Sequence, residues 1–567
     1  MQAISDAALQ LKGPQQTASG WTTTIAVLLD RPASAYLAAA ILLLPSVVWI
    51  FRDARVWPWD HAYYATLALQ IRYALHDGAL AWLSAFLTVP DSRAPLLPWL
   101  AQATVPLTRI LGDPERALLL TNVATAGITL GLIYSATRRL GGSLAVALTA
   151  MLACAGTSDF IAFNQQFLVE AGQAMAVAGL AWVALRAADA AWPRLAAGAL
   201  FWATVAMLAK TTSVGYVLPF LLYIAIVRSA SHRQRAAAVP LDFFLLFGSL
   251  AFAGVAIAWY AMHWPGIVVH INEATITKDI VLLYGSERPL LAKLGFWSWA
   301  LLQALSPFPW LAGLVAIVVA WALATGAVRV ARGGLANLLR RAVESRLLFA
   351  LCLAGTIFAA LIAYSRMIAE DVRYLAPMVP LVVLLLAWSL VTLRGRWLTA
   401  VAAVLLAGNW GATHAMVQGL VPLPDTALWY LQAPHSDFAA MARMARAVAE
   451  TCDRSRLGRI EVIGADLVDF SAPSAWLYAE KMRRNVGYRC EYTSLGYLES
   501  DPQRAIKRLY DINADYFVTL PLSELPATGT NPFDRVSKPV AEWIATSPDF
   551  ERLTPETDAL AIYRRRR

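Results

Sequence analysis

Asp60 stands in the run Trp57-Pro58-Trp59-Asp60-His61-Ala62-Tyr63-Tyr64, directly after the first long apolar stretch of the chain. A carboxylate at the edge of a membrane can take the proton of a hydroxyl held within hydrogen-bond reach. Other residues of reactive type follow at intervals: Arg93 in Val89-Pro-Asp-Ser-Arg-Ala-Pro-Leu-Leu-Pro-Trp99, Glu170 in Gln166-Phe-Leu-Val-Glu170, Lys210 in Met207-Leu-Ala-Lys-Thr-Thr212, Arg288, and Arg373 with Tyr374 in Asp371-Val-Arg-Tyr-Leu-Ala-Pro377. Acids of this kind move protons, and cations beside them hold a departing anion such as a phosphate. Each has a plainer reading too: Asp60 as a surface acid, Glu170 as a charge on a helix N-terminus, Lys210 as a snorkelling interfacial side chain, and Arg373 with Tyr374 as an interfacial anchor. His263, His270 and Glu273 are ligand types, but their seven-residue spacing in one loop is a weak metal signature. A divalent cation stays open; no other cofactor is expected.

The elements that position these residues are membrane spans. Of 567 residues 58% are hydrophobic and 15% charged, and the mean hydropathy is +0.53. A soluble domain is rarely so apolar, and several runs reach the ~17–25 residues that cross a bilayer core. The 21 Trp and 19 Tyr suit two interfacial aromatic belts. A net charge of +9 would suggest nucleic acid in a soluble chain, but here it sits in loops between spans, so no nucleic-acid partner is expected.

Eleven apolar spans are predicted, at 35–51, 117–136, 143–157, 168–185, 195–208, 214–227, 243–259, 301–324, 347–364, 374–390 and 397–410. Arginine clusters between alternate spans, at 138/139, 186/194, 228–235, 329–346 and 394/396. Because Lys and Arg accumulate on the cytoplasmic side, the N-terminus reads as cytoplasmic and the C-terminal tail as outside, in the plasma (bacterial inner) membrane. This parity requires that the apolar helix at 95–111, which holds Pro98 and Pro106, lie along the surface. No cleavable leader pattern precedes the first span.

Three parts follow: a cytoplasmic tail at 1–34, a transmembrane part at 35–412 with outer loops at 52–116 and 260–300, and an outer domain at 413–567. In the last, 459–465, 514–519 and 559–564 read as short buried strands, separated by amphipathic helices at 475–484, 502–511 and 536–546. That alternation implies a small α/β layer domain. Cys154 and Cys352 read as packing residues in spans. Cys452 and Cys490 fall together in the outer domain, where a disulfide is permitted; two free thiols is the other reading.

At this point the chain resembles the GT-C superfamily of polyprenyl-phosphate-sugar-dependent glycosyltransferases, in particular its protein mannosyltransferase and aminoarabinose transferase branch. That family carries an acid, often Asp-Glu, in its first outer loop; here Asp60 is followed by His61 in the second position. Ala94-Pro95-Leu96 stands for its Pro-Pro-Leu element and Leu111-Gly-Asp-Pro for its Leu-Phe-Gly. Gln166 to Glu170, Met207 to Thr212, Ser306-Pro-Phe-Pro-Trp310 and Asp371 to Pro377 follow in the family's order, over roughly residues 35–400.

The resemblance implies an α-helical polytopic enzyme that moves a sugar from a polyprenyl-phosphate donor to an acceptor hydroxyl on a glycan, lipid or protein. Asp60 would be general base, with Glu170 assisting. Lys210, Arg373, Arg93 and Arg288 would hold the donor phosphate, and His61, Tyr64 and Tyr374 would contact substrate. Inversion at the anomeric carbon needs only one carboxylate, since no covalent glycosyl-enzyme forms. Two other functions fit an apolar chain of this kind. A flippase or transporter of lipid-linked sugars would carry ionisable residues in mid-span, whereas acids here gather at span ends. A ligase or polymerase of lipid-linked oligosaccharides would favour an arginine-rich outer loop over an acid.

Overall fold

The computed structural model describes residues 32–566 apart from 91–92, 231–235, 276–287, 332–337, 368, 426–427, 429, 436–438, 452–458, 465–470, 483–489, 496–498, 526–534 and 556–559. Among these, nine helices are long and apolar enough to cross a membrane, and the pair Leu144–Ala155 and Ser158–Asn164, bent by 66°, makes a tenth. The eleventh expected span is the helix Glu170–Ala184. Its 15 residues are short for a crossing, yet all but one are buried. Small side chains explain its central place: without a hydrophobic force between helices in lipid, close approach of backbones supplies the packing. Gly179 is the tightest point, because a Cβ there would stand 2.1 Å from the Trp202 ring of the helix Trp192–Ala209. On the bundle's outside the pattern inverts. Phe244 and Ile317 are 73% and 65% exposed, as side chains in contact with acyl chains should be.

Three expected elements need correction. The stretch 95–111 is not one surface helix but three short pieces, Leu96–Ala101, Val105–Leu107 and Thr108–Leu111. Pro106 has no N–H to donate and its ring crowds the preceding turn, so the helix cannot run through. No piece is long enough to cross. The span at 243–259 belongs to the helix Pro240–Thr275 of 36 residues, about 54 Å long, so the loop at 260–300 begins as helix. The span at 301–324 divides at Ser306-Pro307: Leu290–Leu305 ends there and Pro309–Ala331 starts the crossing.

The C-terminal part forms a five-stranded sheet from β1 (Arg459–Ile463), β2 (Cys490–Ser494), β3 (Tyr516–Thr519), β4 (Phe550–Arg552) and β5 (Ala561–Arg565), in the order β2-β1-β3-β5-β4. β1 pairs parallel with β2 and β3; β5 is antiparallel to β3 and β4. The three expected strands are β1, β3 and β5, and the expected helices are Ala472–Lys481, Pro502–Asp511 and Ser537–Thr546. β2 and β4 are the two edge strands, with only one or two apolar positions each, too few for alternation to mark them. Cys490 is disulfide-bonded; Cys452 lies outside the described residues. Cys154 and Cys352 are free thiols.

This domain clamps the start of the membrane part. Ser471 Oγ accepts from the backbone N–H of Trp59 at 3.0 Å, and Ser474 Oγ donates to the Trp57 carbonyl at 2.8 Å. The same two serines form the capping box of the helix Ala472–Lys481. Along the helix Trp59–Ala74, Gln70 Nε2 donates to Glu480 Oε1 at 2.9 Å and the Tyr73 hydroxyl to the Glu480 carbonyl at 3.1 Å. At the far end of the contact Lys481 pairs with Glu115, in the first turn of the helix Pro114–Arg139.

Candidate active site

Asp60 lies in the first turn of the helix Trp59–Ala74, and the residue before it is strained. Trp59 has φ 46°, in the left-handed region, which costs a non-glycine residue of order 1–3 kcal/mol and persists only where the surroundings hold it. Here the Ser471 hydroxyl on the Trp59 N–H and the Ser474 hydroxyl on the Trp57 carbonyl are the restraints. They turn the chain so that Asp60 points away from the clamp and towards two arginines.

Arg93 Nη1 pairs with one Asp60 oxygen, and Arg373 Nη1 donates to the other at 3.0 Å. Arg373 in turn is forked onto Asp371, with Nε at 2.9 Å and Nη2 at 2.7 Å from Oδ2. Asp371 also caps the short helix Val372–Leu375 through the Arg373 N–H at 3.1 Å, so one acid fixes both the backbone and the guanidinium of Arg373. The Arg93 guanidinium lies 4.7 Å over the Tyr63 ring. Next to this group, Lys210 Nζ donates to Glu170 Oε1 at 2.9 Å and sits 4.3 Å over the Tyr374 ring. Lys210 is free to do so because its helix, Trp192–Ala209, ends one residue earlier and Lys210 itself is extended.

Three carboxylates thus face three cations at one end of the bundle. Burial by itself would raise the Asp60 carboxyl, but Arg93 and Arg373 outweigh it and hold the group well below the usual carboxylate range. Asp371 is lowered in the same way, burial being overcome chiefly by Arg373. Asp60 is nonetheless accessible, with 27% of its side chain exposed. Glu170 is buried, and its Oε2 has no hydrogen-bond partner among the described residues. That oxygen is a buried acceptor beside a small cavity lined by Asp159, Phe163 and Ala376.

His61 does not join Asp60 as a second proton carrier. Its ring lies between the Gln166 side-chain oxygen and the Pro58 carbonyl, 3.2 Å from each, and burial lowers its basicity. Gln166 Nε2 then donates to the Tyr430 carbonyl at 2.6 Å, and the Tyr430 hydroxyl to buried Asp159. Tyr64 is buried edge-on against Tyr63 at 5.6 Å, and burial pushes its hydroxyl up. Arg288 stands apart: it is exposed and its contact is the Phe296 ring, 5.8 Å away. Among the described residues no group of three or more His, Cys, Asp or Glu is arranged to hold a metal. His263 instead contacts the Leu87 carbonyl at 2.6 Å, and the side chains of His270 and Glu273 lie outside what is described. Asp371, Gln166 and Tyr63 complete the site without having been picked out as site residues. Asp371 was legible as an Asp directly before a short helix, the pattern of an N-cap.

Residues 92–259 match the family model of the dolichyl-phosphate-mannose-protein mannosyltransferases. In structure the chain is similar to ArnT from Cupriavidus metallidurans in the apo state, with a TM-score of 0.53, 13% identity, and 93% of this chain and 97% of that chain covered. The same enzyme bound to undecaprenyl phosphate matches with a TM-score of 0.50 over the same shares at 13% identity. The arabinofuranosyltransferase AftD from Mycobacteria also matches, at 0.50 and 13%, covering 94% of this chain and 40% of that one. No curated protein matches in sequence. Bundle and appended sheet thus share the fold of ArnT, and one segment of the bundle is similar to the protein mannosyltransferase family.

Proposed function

We propose that this chain transfers a sugar from a polyprenyl-phosphate donor to an acceptor hydroxyl at the membrane face where Asp60 lies, the outer face, with inversion at the anomeric carbon. The observation that carries this reading is the shared grip of Arg93 and Arg373 on Asp60. A base and an anion-binding pair are the two things the reaction needs, and here they are one cluster.

The acceptor oxygen attacks the anomeric carbon as its proton passes to Asp60. The bond from that carbon to the phosphate oxygen breaks, and its electron pair leaves on the phosphate. Arg93, Arg373 and Lys210 neutralise the growing charge; such charge-assisted bonds are about twice as strong as neutral ones. Doubly paired, Asp60 is a weak base. A phosphate drawn into the cluster competes for the same guanidinium protons, so each bond it takes from Asp60 raises the basicity of that carboxylate. Base strength is thereby coupled to donor occupancy, which protects the site from idle proton transfer. Glu170 assists by holding the Lys210 ammonium beside the phosphate, while Tyr374 and Tyr63 supply aromatic faces to the sugar or the lipid neck. The placement of charge also supports transfer over transport, since these ionisable groups meet at a bundle end.

The test is release of polyprenyl phosphate from a panel of polyprenyl-phosphate sugars by purified protein, comparing wild type with Asp60→Asn. Release by wild type and its loss in the variant, with donor still bound, is the expected result. Turnover of the variant within a few-fold of wild type would remove Asp60 from the role of base.

A further inference from the structure

At the end of the bundle away from Asp60 lies a cavity of about 750 Å³. Arg139, Arg329, Arg346, Arg394 and Arg396 all line it. They come from four helix ends that are far apart in sequence: the last turns of Pro114–Arg139 and Pro309–Ala331, the start of Leu347–Arg366, and the turn between Met378–Leu393 and Arg396–Val417. Basic residues at this end are expected from topology alone, but that rule asks only for charge in the loops and not for convergence on one hollow. Acids do not balance it. Glu344 is in the lining and is 3.9 Å from Arg340; Asp189 holds Arg139. Arg329 donates to the Thr392 carbonyl at 2.9 Å and pairs with no acid among the described residues.

The backbone adds a second observation. Arg346 has φ 61° and Arg394 φ 53°, left-handed conformations where glycine would be unstrained, and at Arg394 a glycine is the next residue. Strain of this sort is found where a side chain is needed at a fixed place. Beside the cavity runs an apolar groove of about 410 Å³ between Leu144–Ala155 and Arg396–Val417, lined by Ala145, Leu148, Leu152, Ala400 and Ala403. Ser143, Arg396 and Thr399 border both, so the two are continuous: a cationic chamber opening into a slot for a hydrocarbon chain.

We infer that this is a binding site for an anionic glycerophospholipid of the leaflet opposite the Asp60 site, its phosphate among the arginines and one acyl chain along the groove. Basic pockets between transmembrane helices take lipid headgroups of this kind. A free phosphate shares the headgroup chemistry but has nothing to put in the groove.

The site is tested by native mass spectrometry of the full-length protein in detergent, titrated with dioleoyl phosphatidylglycerol, with dioleoyl phosphatidylcholine and with inorganic phosphate. Wild type should bind phosphatidylglycerol roughly 5- to 30-fold more tightly than phosphatidylcholine, since one or two engaged basic residues contribute about 1 kcal/mol each. Arg394→Gln with Arg396→Gln should abolish that preference. Ala400→Trp with Ala403→Trp should fill the groove and weaken phosphatidylglycerol while leaving any phosphate binding as it was. Monodisperse elution of each variant controls for folding. Equal affinity of wild type for the two lipids would overturn the inference. So would displacement of phosphatidylglycerol by millimolar inorganic phosphate together with indifference to the tryptophans, which would make the chamber a small-anion site.

Discussion

Asp60, Arg93 and Arg373 have meaning only as a set, and substitutions separate their duties. Asp60→Asn keeps the shape of the side chain but cannot take a proton at neutral pH, and turnover should fall ~100- to 10,000-fold with donor affinity kept or improved, because the arginines are released. A rapid-quench assay with a separate donor-binding titration distinguishes the two effects. Arg373→Ala removes donors to Asp60 and Asp371 together. Loss of a charge-assisted bond of roughly 1.5–3 kcal/mol should raise the donor's apparent constant about 10- to 100-fold. Arg373→Lys should restore only part, since a point charge cannot reproduce the planar fork. If only the acceptor's constant moves, Arg373 belongs to the acceptor groove instead. Lys210→Ala should resemble Arg373→Ala more weakly, whereas Arg288→Ala, out at Phe296, should change nothing in a donor titration.

Helices place these groups, and two contacts between elements are the sensitive ones. The helix Ala472–Lys481 holds Trp59–Ala74 through Glu480, which is 1% exposed. Burial raises the Glu480 carboxyl to about 7, against the hydrogen bond from Gln70 that favours its charge. A folded pKa above the unfolded 4.5 means the neutral acid is preferred in the docked state. Glu480 therefore supports docking fully below pH 4.5, and that support is lost as pH rises through about 7. The thermal midpoint of wild type should fall over this interval, with hydrogen exchange rising along Trp59–Ala74; Glu480→Gln should flatten both profiles. The other contact is Gly179 against Trp202. A methyl group there must displace an indole, a cost of about 1–3 kcal/mol. Gly179→Ala should push apart the helices that carry Glu170 and lead to Lys210, lowering both the melting temperature and the donor affinity. An unchanged donor titration would show that the Lys210 turn absorbs the movement.

Taken whole, the molecule has two unlike ends: acids, arginines and the appended sheet at one, and the arginine-lined chamber at the other. The reading of sidedness predicts that the sheet lies outside the cell. Lys507→Cys, on the exposed face of Pro502–Asp511, should react with a membrane-impermeant maleimide on intact cells. Labelling only after the membrane is opened would reverse the whole orientation and move the proposed reaction to the cytoplasmic face. The amino-acid sequence by itself determined the class of solvent, the spans and the outline of the sheet domain. Those are read from runs and periods in hydrophobicity, which a bilayer imposes locally on every segment that enters it. It also marked Asp60, Arg93, Lys210, Glu170 and Arg373 as reactive types near span ends. What it could not carry were relations between distant segments. Asp60 meets Arg373 across 313 positions and Trp59 meets Ser471 across 412, and no local pattern encodes such a meeting. Only the packed bundle decided that His61 turns to Gln166, that Arg288 stays outside the cluster, and that Asp371 locks Arg373. Each follows from which helix ends are brought together, a property of close packing through small glycines and alanines rather than of any one stretch of chain.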